Sequence, residues 1–516
     1  MVLKFRVLLS VVVGTCSVWY HRVSGCIHDQ IRHDIKSNSQ AYPDNHPFVV
    51  AEQRRRRLDS NEMILGQPTG SQAYDRIVGQ AVDEAVYQPI RIVPYYDNST
   101  LNALPKEKRD MIFKIVPDAI ARFKLLLSVV PVQGNLMAQR SCGVIWVTTP
   151  VVCQTIVEAE TCLEMPIPSA HFGKATTCST CPTKGCIGGD CTSTTGTGVP
   201  NADFVLYVRA VKSNFCSDSV LAYASSCQKD QYDRPTFGMA NFCPDQIKAE
   251  PRDYENQLST AMHEITHALG FSSQFYAYMR NPDGTPRTPR DANGDPPIEK
   301  GAKCANGKSS GYYIRPGSTT VKTYSERDTS VARMVTPQVS AFVKTHFGCS
   351  DLEGAEIENQ DDGCLGSHWE ERIFEPEYMT PVSSYRNVIS GLTLAFFEDS
   401  GWYKTNASMI QRLHFGANRG CSFAKDKCIN PDTGNPVASD HYCTNVAVES
   451  CSVDATSRSV CALTSGKSIP SAFQYFRKDA TMGGTNDFAD FCPLNSAYTF
   501  GDCTNPSNLV FPTAHH

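Results

Sequence analysis

His263, Glu264 and His267 are the residues of this sequence whose types and spacing could do chemistry. On an α-helix, positions i and i+4 share a face, so the two imidazoles can aim a nitrogen at one Zn²⁺. Glu264 falls one residue along and points beside the metal rather than at it. A general base for a metal-activated water belongs there. The helix that must carry these residues is legible around them. Leu258, Ala261, Met262, Ile265, Ala268 and Leu269 recur at helical spacing over 255–269, and Gly270 stands where a helix would end. An amphipathic helix with two incidental histidines would look the same, so the motif needs support from further along the chain.

That support begins with Gly270, three residues after His267, which completes H-E-x-x-H-x-x-G. In this extended motif the glycine lets the chain reverse and bring a third histidine to the metal. In the compact form that histidine follows three residues later, but here the position is Ser273. The third ligand must come from beyond it, and His346, His368, His414 and His441 are available. A methionine turn follows the third ligand in such sites. His368 is followed eleven residues on by Met379, within Glu377-Tyr378-Met379-Thr380-Pro381, and the proline suits a tight turn. His346 has no methionine at comparable distance, and His414 and His441 lie beyond this turn. His368 is therefore the expected ligand, and His346 is expected to be structural.

With these residues in place the sequence resembles the leishmanolysin family of metzincin zinc peptidases. The resemblance rests on the motif split after Gly270 by a long insertion, on Gly366-Ser367-His368-Trp369-Glu370 and on Glu377-Tyr378-Met379. The runs 202–208, 263–272 and 392–401 agree as well. It extends from about Cys26 to near Cys503 and is weak over 140–200 and within the insertion. It implies an α+β fold with a mixed sheet and zinc helix over 58–270, and a central part over 271–400 carrying the third ligand and the Met-turn. A cysteine-rich C-terminal domain would follow over 401–516. It also implies one Zn²⁺ per chain, protein or peptide substrates, and Met379 packed beneath the metal. Cys26-Ile27-His28-Asp29 resembles the family's cysteine switch, in which a thiolate blocks the zinc of a latent zymogen.

Composition bounds the setting. A chain of 516 residues can bury more than one core. The formal charge of −5 and the lack of a basic stripe give no reason to expect nucleic acid. Twenty-two cysteines point to an oxidising compartment. Lys4 and Arg6 precede a short apolar run over 7–13 and small residues, which reads as a secretory signal over 1–25. No transmembrane span or hydrophobic anchor tail is evident, and a secreted monomer is expected. A polar stretch over 26–57 ends in Arg54-Arg55-Arg56-Arg57. It reads as a propeptide with a basic cleavage site, although an arginine run is also an ordinary solvated stretch. Asn98 and Asn406 open glycosylation sequons.

Strands are expected over 90–96, 144–152 and 203–211, and a helix, kinked or split at Pro117, over 106–127. The weak alternation over 237–242 is the natural candidate for the sheet-edge strand on which an extended peptide would lie. Helical spacing returns over 326–347 and 392–402, after an exposed insertion over 280–315. Cys178, Cys181, Cys186 and Cys191 could form a zinc knuckle but are expected in disulfides, with His171 incidental. Two other functions compete with a secreted endopeptidase. One is a catalytically inactive adhesion protein keeping the fold, against which the retained Glu264 argues. The other is a zinc peptidase with Glu370 or Glu371 as third ligand, against which Gly270 and Met379 argue.

Overall fold

The computed structural model describes residues 86–148, 151–216, 220–291, 294–303, 309–359, 365–384, 386–504 and 508. The expected signal, propeptide, arginine run and Cys26 lie outside them. The described chain is a sheet-rich α+β structure stapled by disulfides. Its central sheet is built from β1 (Ile92–Tyr96), β2 (Phe204–Arg209), β3 (Ala222–Lys229) and β4 (Pro235–Phe242), in the order β3-β4-β2-β1. β1, β2 and β4 are parallel, with Phe204 opposite Ile92 and Val205 opposite Phe237. Parallel strands are covered on both faces, and β2 accordingly reads as one unbroken apolar run, Phe204-Val205-Leu206-Tyr207-Val208, with every side chain buried. β3 runs antiparallel to β4 and is one of the two outermost strands, β1 being the other.

Two helices pack together beside this sheet: α1 (Lys106–Leu126) and α2 (Tyr254–Ala268), the latter against β3 and β4. α1 is a single helix that keeps Pro117 in its interior, buries Ile112, Ile115, Val116, Ala119 and Phe123, and is neither split nor shortened. A Cβ at Gly238 of β4 would come within 2.8 Å of Phe204 and 3.1 Å of Ala268. Glycine is what lets α2 lie this close to the sheet. α2 is buried on all sides from Thr260 onward, polar residues included, so its amphipathic pattern marks the pairing of two covered faces rather than one wet face.

Three strand and helix expectations are corrected. The 237–242 segment is not the edge. As β4 it sits between β2 and β3 with all its side chains buried, and the outermost strand on that side of the sheet is β3. Alternation reports side-chain faces and says nothing about which strands flank a backbone. The segment 144–152 is not one strand. Cys142–Trp146 and Val152–Ile156 form an antiparallel pair closed by Cys142–Cys153. The 280–315 insertion ends in paired strands Ile298–Lys303 and Ser309–Ile314. The 326–347 segment is half strand. β5 (Val321–Glu326), β6 (Thr329–Met334) and β7 (Ala355–Ile357) form an antiparallel sheet, and only Pro337–Phe347 is helix (α3).

The second half of the chain is tied together by α4 (Gly391–Asp399), which packs on α3. Ser390 caps α4 by accepting from Leu392 N–H, and Asp399 at its far end accepts from Gln338 and Val339 N–H in the first turn of α3. Past α4 the backbone returns to the first half, Lys404–Thr405 pairing with 127–128, while Cys349–Cys421 joins α3 to the C-terminal region. Cys178–Cys191 and Cys181–Cys186 are disulfides, as expected. Cys428–Cys492 and Cys443–Cys461 staple the C-terminal region. Among the described residues no helix is long and apolar enough to cross a membrane.

Candidate metal centre

The end of α2 explains how the first two histidines are aimed. Gly270 has φ +116° and donates to the His267 carbonyl, while Phe271 N–H reaches back to the Thr266 carbonyl. This pair of bonds is a Schellman turn. A side chain at Gly270 would also strike Trp402, 2.8 Å from where its Cβ would stand. The turn folds the Phe271 carbonyl back over the helix end, where it accepts a 2.7 Å hydrogen bond from His267 Nδ1. His263 Nδ1 is held in the same way, donating at 2.6 Å to the Tyr378 carbonyl.

His368 arrives from the other half of the chain. Its segment pairs antiparallel with the end of β7, with Glu358 N–H on the His368 carbonyl and Glu370 N–H on the Glu356 carbonyl. On the other side Trp369 N–H donates to the Met379 carbonyl. The reversal after Gly270 meets this segment directly, Ser273 N–H donating to Ser367 Oγ at 3.0 Å. His368 is therefore held between β7 and the Met379 turn, with no exposed surface.

The three histidines converge on one point. His267 Nε2 lies 3.0 Å from His263 Nε2 and 3.2 Å from His368 Nε2. A carbonyl can only accept, so Nδ1 of His263 and of His267 carries the proton, and in the neutral rings each Nε2 presents a bare lone pair. Two lone pairs facing each other at 3.0 Å repel unless a cation lies between them. Nitrogens about 2.0–2.1 Å from one tetrahedral ion would be about 3.3 Å apart, close to what is seen. Three imidazoles converging in this way suit Zn²⁺, and second hydrogen bonds of this kind fix tautomer and ring orientation in metal sites.

Met379 is fully buried in a tight turn in which Thr380 N–H donates to the Glu377 carbonyl at 3.0 Å. The Glu377 carboxylate organises this turn from within. It accepts from Met379 N–H at 2.6 Å, Ser390 Oγ at 3.0 Å and Thr393 Oγ1 at 2.7 Å, and Thr393 in turn accepts from the Trp369 indole at 2.9 Å. One buried carboxyl thus links the methionine turn, α4 and the residue beside His368.

Glu264 is buried and, with His263, lines a cleft bounded by Leu221 and Ala222 at the start of β3 and by the segment 380–383. The remaining expected residues fall elsewhere. Glu370 belongs to a buried cluster with Glu356, Asp490, Arg327 and Arg372, whose guanidiniums already supply the positive charge. Burial pushes the Glu356 carboxyl up, but Arg327, Arg372 and Arg333 prevail and hold it below its ordinary range. His346 Nε2 donates to the Phe415 carbonyl 2.8 Å away, and His171 pairs with the Tyr207 hydroxyl. Asn98 is exposed at the start of a short helix. The Asn406 side chain is exposed but engaged, donating to the Leu125 carbonyl and accepting from Ser408. What the sequence could not show is the role of two backbone carbonyls, of Phe271 and Tyr378, as histidine partners, because main-chain acceptors carry no residue signature.

Burial raises three carboxyls in this region: Glu371 to about 8, and Glu375 and Glu377 to about 7. Thr380 and the Val382 N–H partly offset the effect at Glu371 by hydrogen bonding to it. Each value lies above that of an unfolded glutamate, so the folded chain holds more protons between about pH 5 and 8, and stability falls as pH rises through that window. Glu371→Gln copies the neutral form and its acceptor. It is expected to raise Tm at pH 8 clearly more than at pH 5, flattening the Tm profile in scanning fluorimetry. Equal shifts at both pH values would show that Glu371 does not titrate there.

A helix-borne histidine pair, a returning third histidine and a buried carboxylate beside them are the parts of a metallopeptidase centre. Comparison with known proteins gives the family: the leishmanolysin sequence model matches residues 174–286 and 316–514. A leishmanolysin-like peptidase of Drosophila melanogaster is 34% identical over 483 residues, covering 88% of this chain and 68% of its own. That of Caenorhabditis briggsae is 34% identical over 450 residues, covering 79% and 65%. Leishmanolysin of Leishmania major is 24% identical over 526 residues, covering 96% and 73%. The chain belongs to the leishmanolysin family of metallopeptidases. It spans about two thirds of the length of the nematode and fly relatives.

Proposed function

We propose that this chain is a zinc-dependent endopeptidase that hydrolyses peptide bonds in extended protein segments. The observation that carries the reading is the convergence of three Nε2 atoms, two of them with fixed tautomers, beside buried Glu264 at a cleft bounded by the start of edge strand β3. His263, His267 and His368 would hold the zinc, which supplies Lewis-acid chemistry toward water and a peptide carbonyl. Glu264 takes a proton on its carboxylate from the attacking water and passes it to the leaving amine nitrogen. The backbone of β3 pairs with the substrate main chain and sets its register across the histidines. Met379 and the Glu377 network hold the floor rather than the metal.

The disulfides suit an oxidising compartment, and we extend the reading to a secreted enzyme made as a latent precursor that Cys26 blocks until cleavage near Arg57. The test of the central reading is direct. The purified chain should cleave casein, lose the activity to o-phenanthroline and regain it with added Zn²⁺, and should contain close to one zinc per chain by elemental analysis. Metal-free protein with unchanged turnover would overturn it.

A further inference from the structure

The cleft beside His263 and Glu264 mixes apolar residues, Leu221, Ala222, Pro381 and Val382, with polar ones whose hydrogen-bonding capacity is only partly used. From α2 it receives Ser259 and Thr260, and from the opposite wall Thr380, Ser383 and Asn387. Two hydrogen bonds span it. Asn387 Nδ2 donates to Ser259 Oγ at 2.8 Å, and Asn256 Nδ2 donates to Ser383 Oγ at 2.9 Å. The Asn387 amide is oriented by its other end, since Oδ1 accepts from Ser384 N–H. Both serine oxygens are thus acceptors in these bonds, and each keeps its own O–H proton to donate. The two threonines differ, because Thr260 Oγ1 donates to the Asn256 carbonyl and Thr380 Oγ1 to the Glu377 carbonyl. The cleft therefore offers two hydroxyl protons, one from each wall, and among the described residues no lysine or arginine lines it.

We propose that Ser259 and Ser383 select an uncharged acceptor side chain, asparagine or glutamine, at one of the two substrate positions flanking the scissile bond. This rests on the endopeptidase reading above. One carboxamide oxygen has two lone pairs and can take both protons. A bulky apolar side chain would displace the water that meets these hydroxyls and leave both unpaired, a loss the site recovers only with an acceptor. A carboxylate side chain would sit beside Glu264 and meet no lysine or arginine among the described lining residues. The bland alternative is that Ser259 and Ser383 merely brace the 380–387 wall against α2. In that case their loss would slow every substrate alike.

The experiment uses the full chain and peptides that differ only at the two positions flanking the cleavage site, bearing Gln, Ala or Leu. The wild type should favour Gln over Leu at one position by about 10-fold in kcat/KM, the worth of one neutral hydrogen bond with its unpaired alternative. Ser259→Ala and Ser383→Ala should each erase most of that preference while changing the Ala peptide by less than about twofold. A preference for Leu, or equal losses on all peptides, would overturn the proposal. Binding of the same peptides to Glu264→Gln, read by fluorescence anisotropy, separates the two readings. Absent turnover in the wild type with tighter Gln binding would condemn the peptidase reading and keep the pocket. Absent turnover with no Gln preference in binding would condemn both.

Discussion

Glu264→Gln is expected to keep the fold and the full complement of zinc while losing about 10²–10⁴-fold in kcat, the usual worth of a general base. The substitution keeps the shape and one acceptor oxygen, so the buried position, 2% exposed, is filled without a cavity. What it removes is a group able to take a proton. Glu264 is absent from the trio of converging nitrogens, and the histidines are oriented by the carbonyls of Phe271 and Tyr378, not by this carboxylate. Metal content and KM should therefore change little while kcat collapses, the signature of an interaction made in the transition state. Zinc by elemental analysis, Tm and steady-state kinetics on casein-derived peptides check it together. A variant that loses its zinc along with its turnover would assign Glu264 to metal binding instead.

The sequence carried the site further than the sheet. α2 was legible because apolar residues at period 3.6 and a terminal glycine are local properties, and local properties survive folding. His368 was legible only through Met379. Their spacing reflects a loop that must place a histidine on one side of the site and a tight turn on the other, and Trp369 N–H on the Met379 carbonyl is the physical form of that link. The identity of the edge strand was not legible. Whether 237–242 or 222–229 is flanked on both sides depends on β2, whose pairing with β4 joins residues about thirty apart, and on β1 beyond it. Side-chain alternation is the same in either case. The 326–347 segment failed for a related reason, since β6 and α3 both bury apolar residues against β7 and the two periods run together across Thr336. The Glu377 network was invisible as well, because Thr393, Ser390 and Trp369 are common residues brought together by tertiary contact alone.

His368→Ala should lose most of the zinc and the activity together, whereas His346→Ala should keep both. Removing a partner of a metal-bound histidine typically lowers affinity about 10–100-fold, and removing a ligand itself should exceed that. Two nitrogens on one helix turn would remain, too few to hold an ion against a chelating buffer. Among the described residues the neighbouring carboxyls are committed elsewhere, Glu370 accepting from Arg372 N–H in the buried cluster and Glu371 facing Thr380 and Val382. His346 is a different kind of residue. It stacks on Phe342 with ring centroids 5.4 Å apart and meets the Phe415 carbonyl, tying α3 to the start of the C-terminal region. Burial lowers its pKa, so it is neutral at physiological pH and its loss is one of packing and a single hydrogen bond. Its alanine variant should lower Tm while leaving zinc stoichiometry and kcat within about twofold, in line with a half-buried position outside the metal trio. Elemental analysis after dialysis against a weak chelator, paired with peptide turnover, decides between the two histidines. Zinc lost from His346→Ala and kept by His368→Ala would move the third ligand and with it the whole assignment of the centre.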